Sequence, residues 1–82
     1  MNTSEILEKL QIIMTKVTGL STDEILPEKS LMNDLDLTSM DGLSMISDIE
    51  TSFDIRVPEK VLRTFVNVED IVNCISELIA GK

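Results

Sequence analysis

Apolar residues return every three or four positions in three separate blocks, and that spacing limits the chain to a helical fold. Ile6, Leu7, Leu10, Ile13, Met14 and Val17 make the first block. Met40, Leu43, Ile46 (with Met45 beside it), Ile49 and Phe53 make the second, and Leu43, Ile46 and Ile49 are expected to point inward. Val68, Ile71, Val72, Ile75, Leu78 and Ile79 make the third. No alternating pattern lasts long enough to predict a strand.

Terminal signals agree with the blocks. Asn2, Thr3 or Ser4 can start the first helix, with Glu5 and Glu8 near its positive end and Lys16 near its negative end. Gly19 is its natural stop. The second helix starts near Ser39 and should fade by Asp54, because "IRVP" runs into Pro58, which disfavours helix in the residue before it. Pro58 can open a short third helix at its first position, with Val61, Leu62 and Phe65 facing inward. Asn67 suits the cap of the last helix, Glu69 and Asp70 its first turn, and Gly81 its end.

Between Leu20 and Thr38 the period fails. Pro27 and several turn formers predict a long loop, with a short helical turn around Leu31 to Asp34. Its Leu20, Ile25, Leu26, Leu31, Leu35 and Leu37 are expected to pack across the helices. The predicted fold is all-α: a four-helix bundle of three long helices and one short, with a long loop between the first and second. Residues 1–82 are expected to form one domain.

Composition narrows the function. Phe53 and Phe65 are the only aromatic residues, so Ile, Leu, Val and Met must build the core. Fifteen acids against seven bases give a net charge of −8, which argues against nucleic acid and anionic membranes and favours basic protein partners. There is no histidine and one cysteine, Cys74. His-dependent nucleophilic catalysis and an intramolecular disulfide are excluded, and a structural zinc site is not expected. No Gly-rich phosphate loop and no twelve-residue calcium loop occurs. The acidic N-terminal segment "MNTSEILEKL" reads as neither a signal peptide nor a membrane span, so a soluble, cytoplasmic protein is expected.

One stretch, "NDLDLTSMDGLSMI", carries chemistry. Ser39 stands at a predicted helix start. A Ser or Thr there can simply cap the helix, and Thr38 with Asp41 three residues on resembles a capping box. The same place also favours an attached anion, through the free N–H groups and the macrodipole. Ser39 has no His to activate it, so modification by another enzyme fits better than self-contained catalysis.

These residues resemble the acyl carrier proteins. That family has Asp-Ser-Leu at the start of its second helix, where this chain has Thr38-Ser39-Met40. Leu43, Ile46 and Ile49, then "ETSFDIRVPEKVLRTFVNVEDIV", follow in register, and "ILPEKSLMNDLDL" resembles the loop before the motif. The resemblance implies a carrier and not an enzyme. A separate phosphopantetheinyl transferase would move 4'-phosphopantetheine from coenzyme A to Ser39, with Mg²⁺. Acyl groups would ride on the arm's thiol as thioesters and pass between acyl-transferring and condensing enzymes of fatty-acid or polyketide-type synthesis. Those partners would dock through basic patches on Asp41, Asp48, Glu50, Glu59 and Met40, against a monomeric carrier. No resident metal is implied. Cys74 reads as a small residue at the edge of the core.

Several positions depart from the family. Thr38 replaces a carboxylate presented to the transferase, for which Asp36 or Asp41 could substitute. Ser44 stands where many members have Glu. Gly42 costs roughly 0.5–1 kcal/mol against Ala inside a helix and can leave room for the arm or a partner. Two other functions stay open: an unmodified interaction module that kept the fold, and a carrier of D-alanine or an aminoacyl group.

Overall fold

The computed structural model describes residues 2–81, with Ser39 described by its backbone alone. Four α-helices form among these residues: α1 (Thr3–Thr18), α2 (Ser39–Phe53), α3 (Glu59–Leu62) and α4 (Val68–Ala80). The predicted all-α bundle of three long helices and one short is what the chain adopts. The first loop adds a 3₁₀ turn, Thr22–Glu24, which the spacing of apolar residues left unmarked.

The helix ends follow local chemistry. Asn2 caps α1 through its side chain, which accepts from the Glu5 N–H at 2.9 Å. Gly19 closes α1 in the left-handed region, at φ 79°, where a Cβ would be strained. Asn67 and Asp70 form a reciprocal capping box at α4. Pro58 stands one position earlier than expected. It is the N-cap of α3 and not its first helical residue, so Phe65 lies beyond that four-residue helix. Val61, Leu62 and Phe65 are half-buried.

The core joins the three long helices. Ile6, Leu10 and Met14 of α1, Ile49 of α2, and Ile71 and Ile75 of α4 are essentially inaccessible. Lys9 Nζ lies 5.6 Å from the Phe53 ring centroid, a cation–π contact between α1 and α2.

The first loop belongs to this core. Ile25, Leu31 and Leu35 are buried, and Leu20 and Leu37 pack against it in part. Leu26 departs from expectation and is exposed. The expected turn after Ser30 forms as one α-type turn: the Asp34 N–H donates to the Ser30 carbonyl at 3.0 Å. The Ser30 N–H in turn donates to the Asp34 carboxylate at 2.7 Å, and the Leu35 N–H also donates to the Ser30 carbonyl, at 3.0 Å.

Main-chain bonds strap this loop to the approach of α4. The Leu31 N–H donates to the Val66 carbonyl (2.9 Å), the Val68 N–H to that of Lys29 (3.1 Å) and the Glu69 N–H to that of Pro27 (2.9 Å). Ser30 and Asn67 form an isolated antiparallel bridge in the middle of the strap. Among the described residues no helix is long and apolar enough to cross a membrane.

One expectation about α2 is overturned. Leu43, expected inward, points outward and is 65% exposed; Met40 is 78% exposed, and Met45, Ile46, Ile49 and Phe53 are buried. The cause is helical phase. A residue advances about 100° around the axis, so a step of three falls short of a full turn by about 60°. A stripe stepped by threes, from 49 back through 46 and 43 to 40, drifts off the buried face. Residue 42 stays in phase with it, and residue 42 is glycine.

Candidate functional site

The site is the start of α2 and the cleft beside it. Thr38 is the N-cap, in extended backbone, and Ser39 is the first helical residue. The side chain of Ser39 lies outside the described residues. Thr38 Oγ1 accepts from the Asp41 N–H at 3.2 Å, and Asp41 Oδ2 accepts from the Thr38 N–H at 3.3 Å. The expected capping box is therefore formed, with Asp in the place of the usual Glu. It also draws the Asp41 carboxylate back against residue 38. Asp36, the other acid near the motif, is exposed and holds a left-handed φ of 54°.

Beside this helix start opens a cleft of about 380 Å³. The loop contributes Leu31, Met32, Leu37 and Thr38 to it. α2 contributes Gly42, Leu43, Met45 and Ile46. Glu59, Leu62, Arg63 and Phe65 close the far side. Its walls are mostly apolar, with Glu59 and Arg63 as the charged members. Gly42 is central to its shape: a Cβ built there meets nothing within 4 Å. The missing side chain leaves open space on the inward face of α2, directly below the first turn.

The acids expected on the docking face divide into two kinds. Asp41 is half-buried and engaged in the capping box. Glu50 is half-buried too, and its Oε2 accepts from the Val57 N–H at 2.9 Å. It thereby pins the segment that follows α2. Asp48 and Glu59 are exposed. Met40 stands out on the first turn, next to Ser39.

Cys74 is half-buried on α4, at the core edge as expected. Burial pushes its thiol pKa above the ordinary thiol range, and the Glu77 carboxylate adds to the shift. The protonated thiol is the favoured form there.

Sequence reasoning missed the inward phase of Gly42 and the presence of Met32 and Arg63 at the cleft. Phase counted back from Phe53 could have found Gly42. Nothing in the linear pattern brings residue 32 next to residue 63, because the loop's path sets that contact.

This arrangement suits a covalently attached arm. The positive end of a helix favours a phosphodiester at its first residue. An apolar cleft with vacant space beneath that residue can accept an apolar cargo.

Comparison with known proteins points the same way. The family model described as "Phosphopantetheine attachment site" matches residues 8–75. The chain is 30% identical over 81 residues to the acyl carrier protein of Thermosynechococcus vestitus, covering 99% of this chain and all of that protein. It is 37% identical over 71 residues to that of Kocuria rhizophila, covering 87% and 88%, and 35% identical over 71 residues to that of Myxococcus xanthus, covering 87% and 90%. With its helical bundle and a Ser at the start of α2, the chain belongs to the acyl carrier proteins, carriers and not enzymes, whose prosthetic group is covalently attached 4'-phosphopantetheine.

Proposed function

We propose that Ser39 bears the 4'-phosphopantetheine arm and that residues 1–82 act as one monomeric carrier domain in the cytoplasm. The cargo is an acyl intermediate of fatty-acid or polyketide-type synthesis. The observation that carries this reading is the apolar cleft opening beneath the first turn of α2, where Gly42 leaves the inward face bare. When attached, the arm supplies a terminal thiol that holds acyl groups as thioesters. The chain's own contribution is placement and shelter. The first turn of α2 offers its positive end to the phosphodiester. Leu31, Leu37, Ile46, Leu62 and Phe65 offer an apolar wall to the cargo and keep water from it. That wall supports an acyl cargo over D-alanine or another aminoacyl group, whose ammonium would gain nothing from it.

The Thr38 departure bears on loading. Asp41 holds its carboxylate against the Thr38 N–H, close to where the family presents an acid. It is the candidate substitute for contact with the transferase and its metal. Asp48 and Glu59 remain open to solvent for basic groups on later enzymes.

The test is mass spectrometry after incubation with coenzyme A, Mg²⁺ and a phosphopantetheinyl transferase. A phosphopantetheine adduct on the wild-type chain, absent from Ser39→Ala, is expected. No adduct with several transferases and none on protein from the native host would instead support an unmodified interaction module.

A further inference from the structure

We propose that Gly42 is a specificity-determining residue, and that the width it gives the cleft suits a methyl-branched acyl cargo better than a straight chain. The proposal rests on the Ser39 reading and narrows the class of cargo.

Exposure orders the cleft from mouth to floor. Met32 and Leu43, 75% and 65% exposed, stand at the mouth, and Leu31, Met45 and Ile46 are buried at the floor. Gly42 is half-buried between them. It lies one turn before Ile46 on the same face of α2. It also follows Ser39 by three residues, a rise of about 4.5 Å along the helix axis. A cargo tethered at residue 39 that reaches the floor therefore runs past Gly42. The charged lining residues, Glu59 and Arg63, are both exposed and belong to the mouth. The far wall at the depth of Gly42 is Leu62 and Phe65, half-buried and apolar.

Nothing in the fold asks for glycine at this point. Its backbone is helical, Gly19 being the glycine with a positive φ, and a Cβ on residue 42 would meet nothing within 4 Å. Glycine inside a helix costs stability against alanine, and an apolar side chain there would add burial. What the bare position gives is width, halfway down a cleft of about 380 Å³, a volume within the range of small-molecule sites. A straight chain is the narrowest acyl group and leaves that width unfilled, so the lining there lacks partner atoms on one side. A methyl branch occupies the gap and takes further apolar surface out of water.

The experiment compares two isomeric cargoes, decanoyl and 3,7-dimethyloctanoyl, which differ in shape and not in composition. Each is loaded from its coenzyme A thioester by a phosphopantetheinyl transferase, and the adduct is confirmed by mass. The reading is the rise in melting temperature of each acylated chain over the same chain bearing the unacylated arm, so the effect of a substitution on the empty fold cancels. In the wild type the branched cargo is expected to give the larger rise, by about 4 °C, the shift that one well-buried methyl carbon gives in a domain of this size. Gly42→Ala should remove most of that difference, and Gly42→Leu all of it. Equal rises in the wild type would overturn the proposal. So would a difference that survives both substitutions, or an equal loss for the two cargoes, which would show that the arm and not the cargo fills the gap. Failure of the Ser39 reading looks different: no adduct forms on residue 39 of the wild-type chain, and both readings fall together.

Discussion

Gly42 lies in phase with Ile46, Ile49 and Phe53, and nothing approaches its absent Cβ. No packing requirement holds glycine at this point, and its backbone is ordinary helix. Gly42→Ala should therefore raise stability by about 0.5–1 kcal/mol, read as a higher denaturant midpoint. The same methyl group would begin to fill the cleft. Cys74 gives a second prediction. Its raised pKa keeps the thiol protonated at neutral pH, so alkylation should be slow in the folded chain and fast in denaturant. The favoured protonated form contributes stability that is complete below the unfolded thiol's pKa and is lost as pH rises through the higher folded value. Stability should fall on the alkaline side more in the wild type than in Cys74→Ala. At this scale the sequence was only partly legible. The caps and the Cys74 position could be read from residue type alone. The outward turn of Met40 and Leu43 could not be read from a stripe of threes, because that spacing accumulates a phase error along the helix.

The first loop behaves as a core element without being a regular one. Ile25 is fully buried, and the carbonyl of Ile25 accepts from Gln11 Nε2 of α1 at 2.8 Å. Ile25→Ala should cost about 2–5 kcal/mol, the range for large-to-small changes in helical cores, and a urea titration measures it. A cost under 0.5 kcal/mol would mean that the loop only lies over the core. The long helices were legible because period and caps agree at both ends. α3 was legible mainly through Pro58, and its start came out one residue late. The 3₁₀ turn and the strap left no mark, since main-chain pairing between distant segments imposes no side-chain period.

The molecule measures 31 × 25 × 20 Å along its principal axes. At about 0.01 M salt the screening length is roughly 30 Å, so nearly every charge acts on every other. With a net charge of −8, self-repulsion then opposes the folded state. The melting temperature should rise as NaCl is brought from about 0.01 M to physiological ionic strength, where screening falls to about 8 Å. A flat or falling melting curve would show that local ion contacts dominate instead. The strap from residues 27–31 to residues 66–69 has a further consequence at this scale, and it concerns time. Those bonds join points about forty residues apart, a loop-closure cost of about 3 kcal/mol before any constant term. Both walls of the cleft lie inside the closed ring or on it. Helices α1 and α4 can grow early from local contacts, but the cleft gains its second wall only when the ring shuts. A nascent chain would thus present Ser39 before it could shelter anything attached there.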